Sequence, residues 1–222
     1  RQMCIRDRGN IIAGEVNPSG KTADTWLKDL NSAPYINNIG HFAYTNTSDV
    51  SDAAKEAWER ADGIVSFVDY VEGIYVGYRF YETAAEEGLI NYDDTVLYPF
   101  GYGLSYTTFE QSMGELQVSD DSISVDVTVT NTGDTAGKDV VELYYNPPYY
   151  NGGIEKSSVN LAAFDKTGLL EPGQSETVTL TFDTEDMASY DTYGTGYYVL
   201  EQGDYEISLR TVSYTHLTLP TT

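Results

Sequence analysis

From Ser122 onward apolar and polar residues alternate with a period of two. Ile123, Val125, Val127 and Val129 fall on one side, and Ser124, Asp126, Thr128 and Thr130 on the other. Such alternation predicts a half-buried strand, and it stops at Asn131-Thr-Gly-Asp134, a turn that tolerates left-handed backbone. Further strands are predicted over 140–145, 160–164, 177–182, 196–200 and 205–211, punctuated by Pro147-Pro148, Pro172-Gly173 and Gln202-Gly203-Asp204. About seven short strands with turn signals every ~8–12 residues predict an all-β, two-sheet sandwich over 111–211 that folds on its own.

The first half has a different grammar. Gly9 to Ala13 reads as the last turn of a helix stopped by Gly14, and residues 21–44 as a long irregular connection rich in Asn, Gly and Pro. One clear helix is predicted over 49–61, where Ala53, Ala54, Ala57, Trp58 and Ala61 share a side and Gly63 follows the end. Residues 64–70 then suggest a short strand. Between Ile74 and Tyr81 the side chains alternate, with Ile74, Val76, Tyr78 and Phe80 opposite Tyr75, Arg79 and Tyr81, which suggests a strand or an extended loop. Thr83 to Glu87 predicts a single helical turn ended by Gly88, and 91–95 a polar loop. These are too few layers to cover a sheet, so this half reads as part of a larger unit.

The two halves meet at Tyr98 to Phe109, read Tyr-Pro-Phe-Gly-Tyr-Gly-Leu-Ser-Tyr-Thr-Thr-Phe. A Pro and two glycines among aromatics cannot continue a helix, so the segment should be a hinge whose backbone bends at Gly101 and Gly103 while its rings pack. The order of residues resembles the Pro-Phe-Gly-Tyr-Gly-Leu-Ser-Tyr-Thr-x-Phe signature at the end of the α/β sandwich domain of glycoside hydrolase family 3, the β-glucosidase and β-xylosidase family. Glu72-Gly-Ile-Tyr-Val-Gly-Tyr-Arg-Phe-Tyr81 is similar to the stretch preceding that signature. Asn17-Pro-Ser-Gly-Lys21 with Asp24-Thr-Trp26 resembles a further segment of the same family.

The resemblance spans residues ~9 to ~211 and implies a mixed fold. Residues 9–110 would be the C-terminal part of an incomplete α/β sandwich domain with the hinge at 98–109, and 111–211 an immunoglobulin/fibronectin type III-like sandwich in a bracing role. It implies a parent enzyme that hydrolyses O-glycosyl bonds in β-glucosides or related oligosaccharides. It also implies a retaining mechanism, which places two carboxylates ~5 Å apart about the scissile bond. In the family the Asp nucleophile lies on a separate barrel domain of the same polypeptide and the Glu acid/base on a loop of the sandwich domain. No position here matches either, so no catalytic residue is assigned, and no cofactor is implied.

Charge narrows the partners. With 12 basic against 35 acidic residues and a net charge of -23, nucleic acid and anionic membrane surfaces are poor partners, while a neutral sugar is compatible. No run of ~18 apolar residues is present to span a membrane, and Cys4 is the only cysteine. The compartment is not set by the sequence. Both ends read as foreign: residues 1–8 carry Arg1, Arg6 and Arg8, residues 212–222 carry no charge, and both resemble translated sequencing-adapter ends. The expectation is an internal fragment of a longer chain.

Candidate site residues are few. Glu72, Tyr75 and Arg79 are candidates for the substrate-binding rim of a cleft; the competing expectation for Glu72 and Arg79 is a partly buried ion pair tying the aromatic segment to its neighbours. Asp69 is a weaker candidate of the same kind. His41 stands without a second His or a Cys nearby, so no metal site is assigned. Tyr144, Tyr145, Tyr149 and Tyr150 would suit a sugar-stacking platform or strand-end packing. If the chain were instead a carbohydrate-binding or adhesion module, Tyr149 and Tyr150 should lie exposed rather than against residues 98–109. Gly101-Tyr-Gly103 lacks the continuation of a phosphate loop, and Lys166-Thr-Gly168 has no accompanying Ser-x-x-Lys. Asn46-Thr-Ser48 is a glycosylation sequon in a eukaryotic secretory pathway only.

Overall fold

The computed structural model describes residues 2–38, 56, 68 and 70–214. The helix expected over 49–61, except 56, and the strand over 64–70, except 68 and 70, lie outside the described residues, as do Asp69, His41 and the Asn46 sequon.

The second half is a two-sheet sandwich. In one sheet β5 (Ser122–Asn131) is central, paired antiparallel with β8 (Ser175–Asp183) along one edge and with β3 (Phe109–Met113) and β4 (Gln117–Val118) along the other. In the other sheet β6 (Val140–Asn146) lies between β7 (Asn160–Lys166) and β11 (Glu206–Arg210). The predicted alternation of β5 holds, because Ile123, Val125, Val127 and Val129 face inward. They meet Val178, Leu180 and Phe182 of β8 and Val141, Leu143 and Tyr145 of β6 in one core. Burying a Val or Leu stabilises by roughly 1.5–3 kcal/mol, so this row specifies register: a slip by one residue would put Ser124 and Asp126 in the core.

β6 breaks the half-buried pattern. Val141 through Tyr145 are all buried, because the outer face of this strand, carrying Glu142 and Tyr144, is covered by the first half of the chain. The strand expected over 196–200 is reduced to β10 (Tyr198–Val199). It pairs only with β9 (Ser189–Tyr190), as a small hairpin apart from the two sheets.

The first half is built of short pieces. Helix α1 (Gln2–Ile12) ends as expected at Gly14, whose φ of +76° is the left-handed conformation of a helix stop. The connection after Lys21 contains β1 (Trp26–Leu27), which pairs with β2 (Val96–Tyr98), and two 3-10 turns at Leu30–Ser32 and Pro34–Asn38. The stretch 74–81 is not extended. Residues 71–74 turn, and a helix, α2, runs Tyr78–Glu86, absorbing the single turn expected at 83–87. Tyr81 and Ala85, four residues apart on one helical face, pack with Tyr92 and Val96, so burial on that face overrides the short alternation. The polar loop expected at 91–95 contains a helical turn, α3 (Tyr92–Thr95), capped by the Asn91 side chain accepting from the Asp94 N–H.

Candidate functional site

The motif residues converge on the seam between the two halves. The Asn17 Nδ2 donates to the Ala136 carbonyl (3.0 Å), and its Oδ1 accepts from the Tyr106 N–H (2.8 Å) and the Ser105 hydroxyl (3.1 Å). One short side chain thus fastens its loop to both the hinge and the sandwich. Lys21 pairs with Asp139 at 3.4 Å, and the Lys166 ammonium donates to the Ser19 carbonyl (2.9 Å). The Thr22 hydroxyl donates to the Pro99 carbonyl (2.6 Å) and accepts from the Tyr102 N–H (3.1 Å). The main chains join too, Thr22 N–H to the Tyr102 carbonyl and Gly101 N–H to the Thr22 carbonyl.

Gly101 bends the hinge at φ +83°, and a Cβ there would lie 2.5 Å from the Glu142 Oε2. Only glycine lets the backbone approach that carboxylate in this conformation. Behind the bend the Phe100 ring lies 4.7 Å from Tyr78, which meets Tyr144 edge-on at 6.2 Å, and the Tyr78 hydroxyl accepts from the Leu161 N–H.

Two buried carboxylates flank this aromatic stack. Glu82, on α2 and 3 % exposed, accepts from the Tyr92 hydroxyl (2.9 Å) and the Ser213 hydroxyl (2.6 Å). Burial outweighs those bonds and the nearby Arg210 charge and pushes its carboxyl up to about 7. Glu142 accepts from the Tyr144 hydroxyl (2.7 Å), and burial likewise raises its carboxyl above the usual range, with the Lys21 charge opposing. Arg210 lies 5.6 Å over the Tyr144 ring and donates to Asn146 and to the Ser213 carbonyl. Ser213 and Tyr214, in the stretch that reads as foreign, pack here: the Ser213 N–H donates to the Phe100 carbonyl, and Tyr214 stacks on Tyr92.

Beside the seam is a hollow of about 310 Å³ between residues 24–35 and 72–81, walled by Trp26, Tyr35, Tyr81, Asp24, Glu72 and Tyr75. The Asp24 carboxylate accepts from the Thr25 N–H, and Glu72 accepts from the Asn38 amide at 2.5 Å. Tyr75 also reaches across to the sandwich, where its hydroxyl donates to Glu155. Burial and that carboxylate push the phenol well above its ordinary range. Rings beside carboxylates suit a neutral polyhydroxyl ligand, whose C–H faces stack on rings while its hydroxyls donate.

The structure therefore brings Glu72 and Tyr75 together and sets Arg79 apart. Because α2 is helical, Arg79 turns away from Glu72, lies 5.9 Å over the Tyr78 ring and lines a second hollow of about 300 Å³ with Tyr145 and Lys156. Among the described residues Glu72 and Arg79 form no ion pair, which corrects that expectation. Of the four candidate platform tyrosines, Tyr144 and Tyr145 are buried in packing, whereas Tyr149 and Tyr150 are about half exposed. The roles of Asn17, Glu82 and Glu142 were not readable from the sequence, since each partner lies elsewhere in the chain or depends on burial. Among the described residues no group of three His, Cys, Asp or Glu is placed to hold a metal ion.

The fibronectin type III-like domain family matches residues 139–213. The chain is 38 % identical over 219 residues to β-glucosidase A of Butyrivibrio fibrisolvens, covering 90 % of this chain and 23 % of that protein. It is 35 % identical over 210 residues to a β-glucosidase of Kluyveromyces marxianus, covering 92 % and 21 % respectively. Among solved structures it superposes on β-glucosidase 3B of Thermotoga neapolitana in complex with glucose, with a TM-score of 0.72, 35 % identity, and coverage of 92 % of this chain and 24 % of that one. The chain spans less than a quarter of the length of these relatives.

Proposed function

We propose, from the premise that this chain is a β-glucosidase-like segment of glycoside hydrolase family 3 carrying a fibronectin type III-like domain, that its parent hydrolyses O-glycosyl bonds of β-glucosides or related oligosaccharides. The observation that carries the reading is the 38 % identity to a β-glucosidase across nine-tenths of the chain. In this reading residues 9–110 are the end of an α/β sandwich domain, and 111–211 brace it. The carboxylate pair that breaks the bond lies in the rest of the polypeptide, with the nucleophile on a barrel domain.

The seam supports the bracing role. Its hydrogen bonds join the Asn17-Pro-Ser-Gly loop to the hinge, to the Ala136 carbonyl and to Lys166 of β7, so the motifs hold two units in one orientation. Glu72 and Tyr75 form part of the cleft rim, and the hollow beside them is the near end of the substrate path.

The test compares the parent with the chain. The whole parent polypeptide should turn over an aryl β-glucoside, and residues 9–211 alone should give none. Turnover by the isolated chain that a point substitution within it abolishes would sink the reading, as would an intact parent inert toward every aryl β-glycoside.

A further inference from the structure

We infer that the end of the sandwich binds a neutral glycan chain along a row of neighbouring hollows. Three hollows, of about 650, 300 and 430 Å³, all have Glu155 in their walls. Tyr75 links the largest to the hollow beside Glu72, and Tyr190 is common to the other two. The four hollows thus neighbour one another, in a row from the 71–75 turn past Arg79 to the β9–β10 hairpin. Each is of the size that holds a small ligand, ~300–1,000 Å³.

The chemistry along this path alternates rings with hydrogen-bonding groups. Tyr149 stands in the first part beside Glu155, and Tyr190 and Tyr198 stand in the middle with Asn160 and Arg79. Aromatic faces take the C–H face of a sugar ring, while carboxylate, amide and guanidinium groups pair with its hydroxyls. The 35 acidic residues of the chain repel a polyanion. The one ammonium in the wall, Lys156, is already held by Glu201 and the Pro148 carbonyl.

Scattered exposed tyrosines need no explanation, but these are held in place without being buried. Tyr198 is 74 % exposed, yet it pairs across the hairpin with Tyr190 and meets that ring edge-on at 5.3 Å. The loop between them is fixed by the Asp191 carboxylate, which accepts from the Gly194 N–H (2.9 Å) and the Thr195 N–H (2.7 Å). Rings displayed in a fixed geometry at the edge of a groove lose little freedom when a ligand stacks on them. The inference does not depend on the parent being a hydrolase, since it concerns binding by this chain alone.

The test is affinity electrophoresis of the whole 222-residue chain in gels holding mixed-linkage β-glucan, xyloglucan or polygalacturonate. Retardation by at least one of the two neutral polymers and not by polygalacturonate is expected. The double variant Tyr190→Ala/Tyr198→Ala should weaken the retardation roughly tenfold or more. Tyr149→Ala, at the other end of the groove and outside the hairpin, should weaken it too, which separates ring loss from a misfolded hairpin. Migration unaffected by both neutral polymers, retardation equal in all variants, or equal retardation by polygalacturonate would each overturn the inference. None of these outcomes bears on turnover by the parent.

Discussion

Replacing Glu82 by Gln should make the protein more stable, and only above the acidic range. The buried carboxyl is raised from its ordinary 4.5 to about 7, so between those values the folded protein holds a proton that the unfolded chain releases. Stability therefore falls as pH rises through this window, and is level below and above it. At about 1.4 kcal/mol per pH unit the loss is roughly 3 kcal/mol. Gln keeps an oxygen to accept from the Tyr92 and Ser213 hydroxyls that now bond Glu82, and it has no charge to desolvate. Urea denaturation of both proteins should give near-equal stabilities at pH 4.5, with the variant ahead by about 3 kcal/mol at pH 8. Taking the difference between the two proteins cancels the self-repulsion of the other carboxylates, which also changes with pH. A gap that stays constant from pH 4.5 to 8, or one that favours Glu82 at pH 8, would refute the argument and show that Arg210 pairing outweighs burial.

Gly101→Ala should cost about 1–3 kcal/mol in a urea titration, because it combines a left-handed backbone at φ +83° with a Cβ 2.5 Å from the Glu142 carboxylate; an unchanged midpoint would show that the hinge can shift. Asn17→Ala removes bonds to the hinge and to the sandwich together and should lower stability by about 1–3 kcal/mol. It should also speed proteolytic cleavage between residues 98 and 109. Loss of stability without faster cleavage there would mean that Asn17 does not fasten the seam.

How much was legible follows from where each residue finds its partners. The β5 alternation reads correctly because one face meets the core and the other meets solvent, so the pattern and the environment have the same period. β6 reads as a strand, yet its Glu142 and Tyr144 give no sign of being covered, since what lies against them, Gly101 of the hinge and Tyr78 of α2, is some forty to sixty-six residues earlier in the chain. The misreading at 74–81 arises because eight residues rich in tyrosine satisfy a period of two and of 3.6 alike. The helix is decided by what Tyr81 and Ala85 pack on. Glu82 carries no local mark of burial either, lying between Tyr81 and Thr83 on a short helix. The motifs at 17–21, 72–81 and 98–109 were recognisable by resemblance, but their shared purpose in closing one seam appears only when the chain is folded.

That seam also bears on whether the sandwich is an independent unit, as its strand pattern alone suggests. Cutting the chain near residue 110 would leave Tyr144, fully buried in place, and Glu142 uncovered on the outer face of β6. It would also strip the Leu161 N–H of the Tyr78 hydroxyl and the Ser158 N–H of the Thr83 hydroxyl. The apolar core between the sheets would survive such a cut, because it is closed within 109–210. The polar partners are lost in the same step, and polar partners differ from apolar ones in a way that matters for a brace. An apolar face tolerates sliding, whereas donors and acceptors fixed on both sides accept one alignment and leave unpaired buried groups in any other, at about 1–3 kcal/mol each. A domain held through these hydrogen bonds, the Lys21–Asp139 pair and the Tyr78–Tyr144 ring contact is therefore fixed in orientation, and orientation is what the cleft proposed beside it requires of its support.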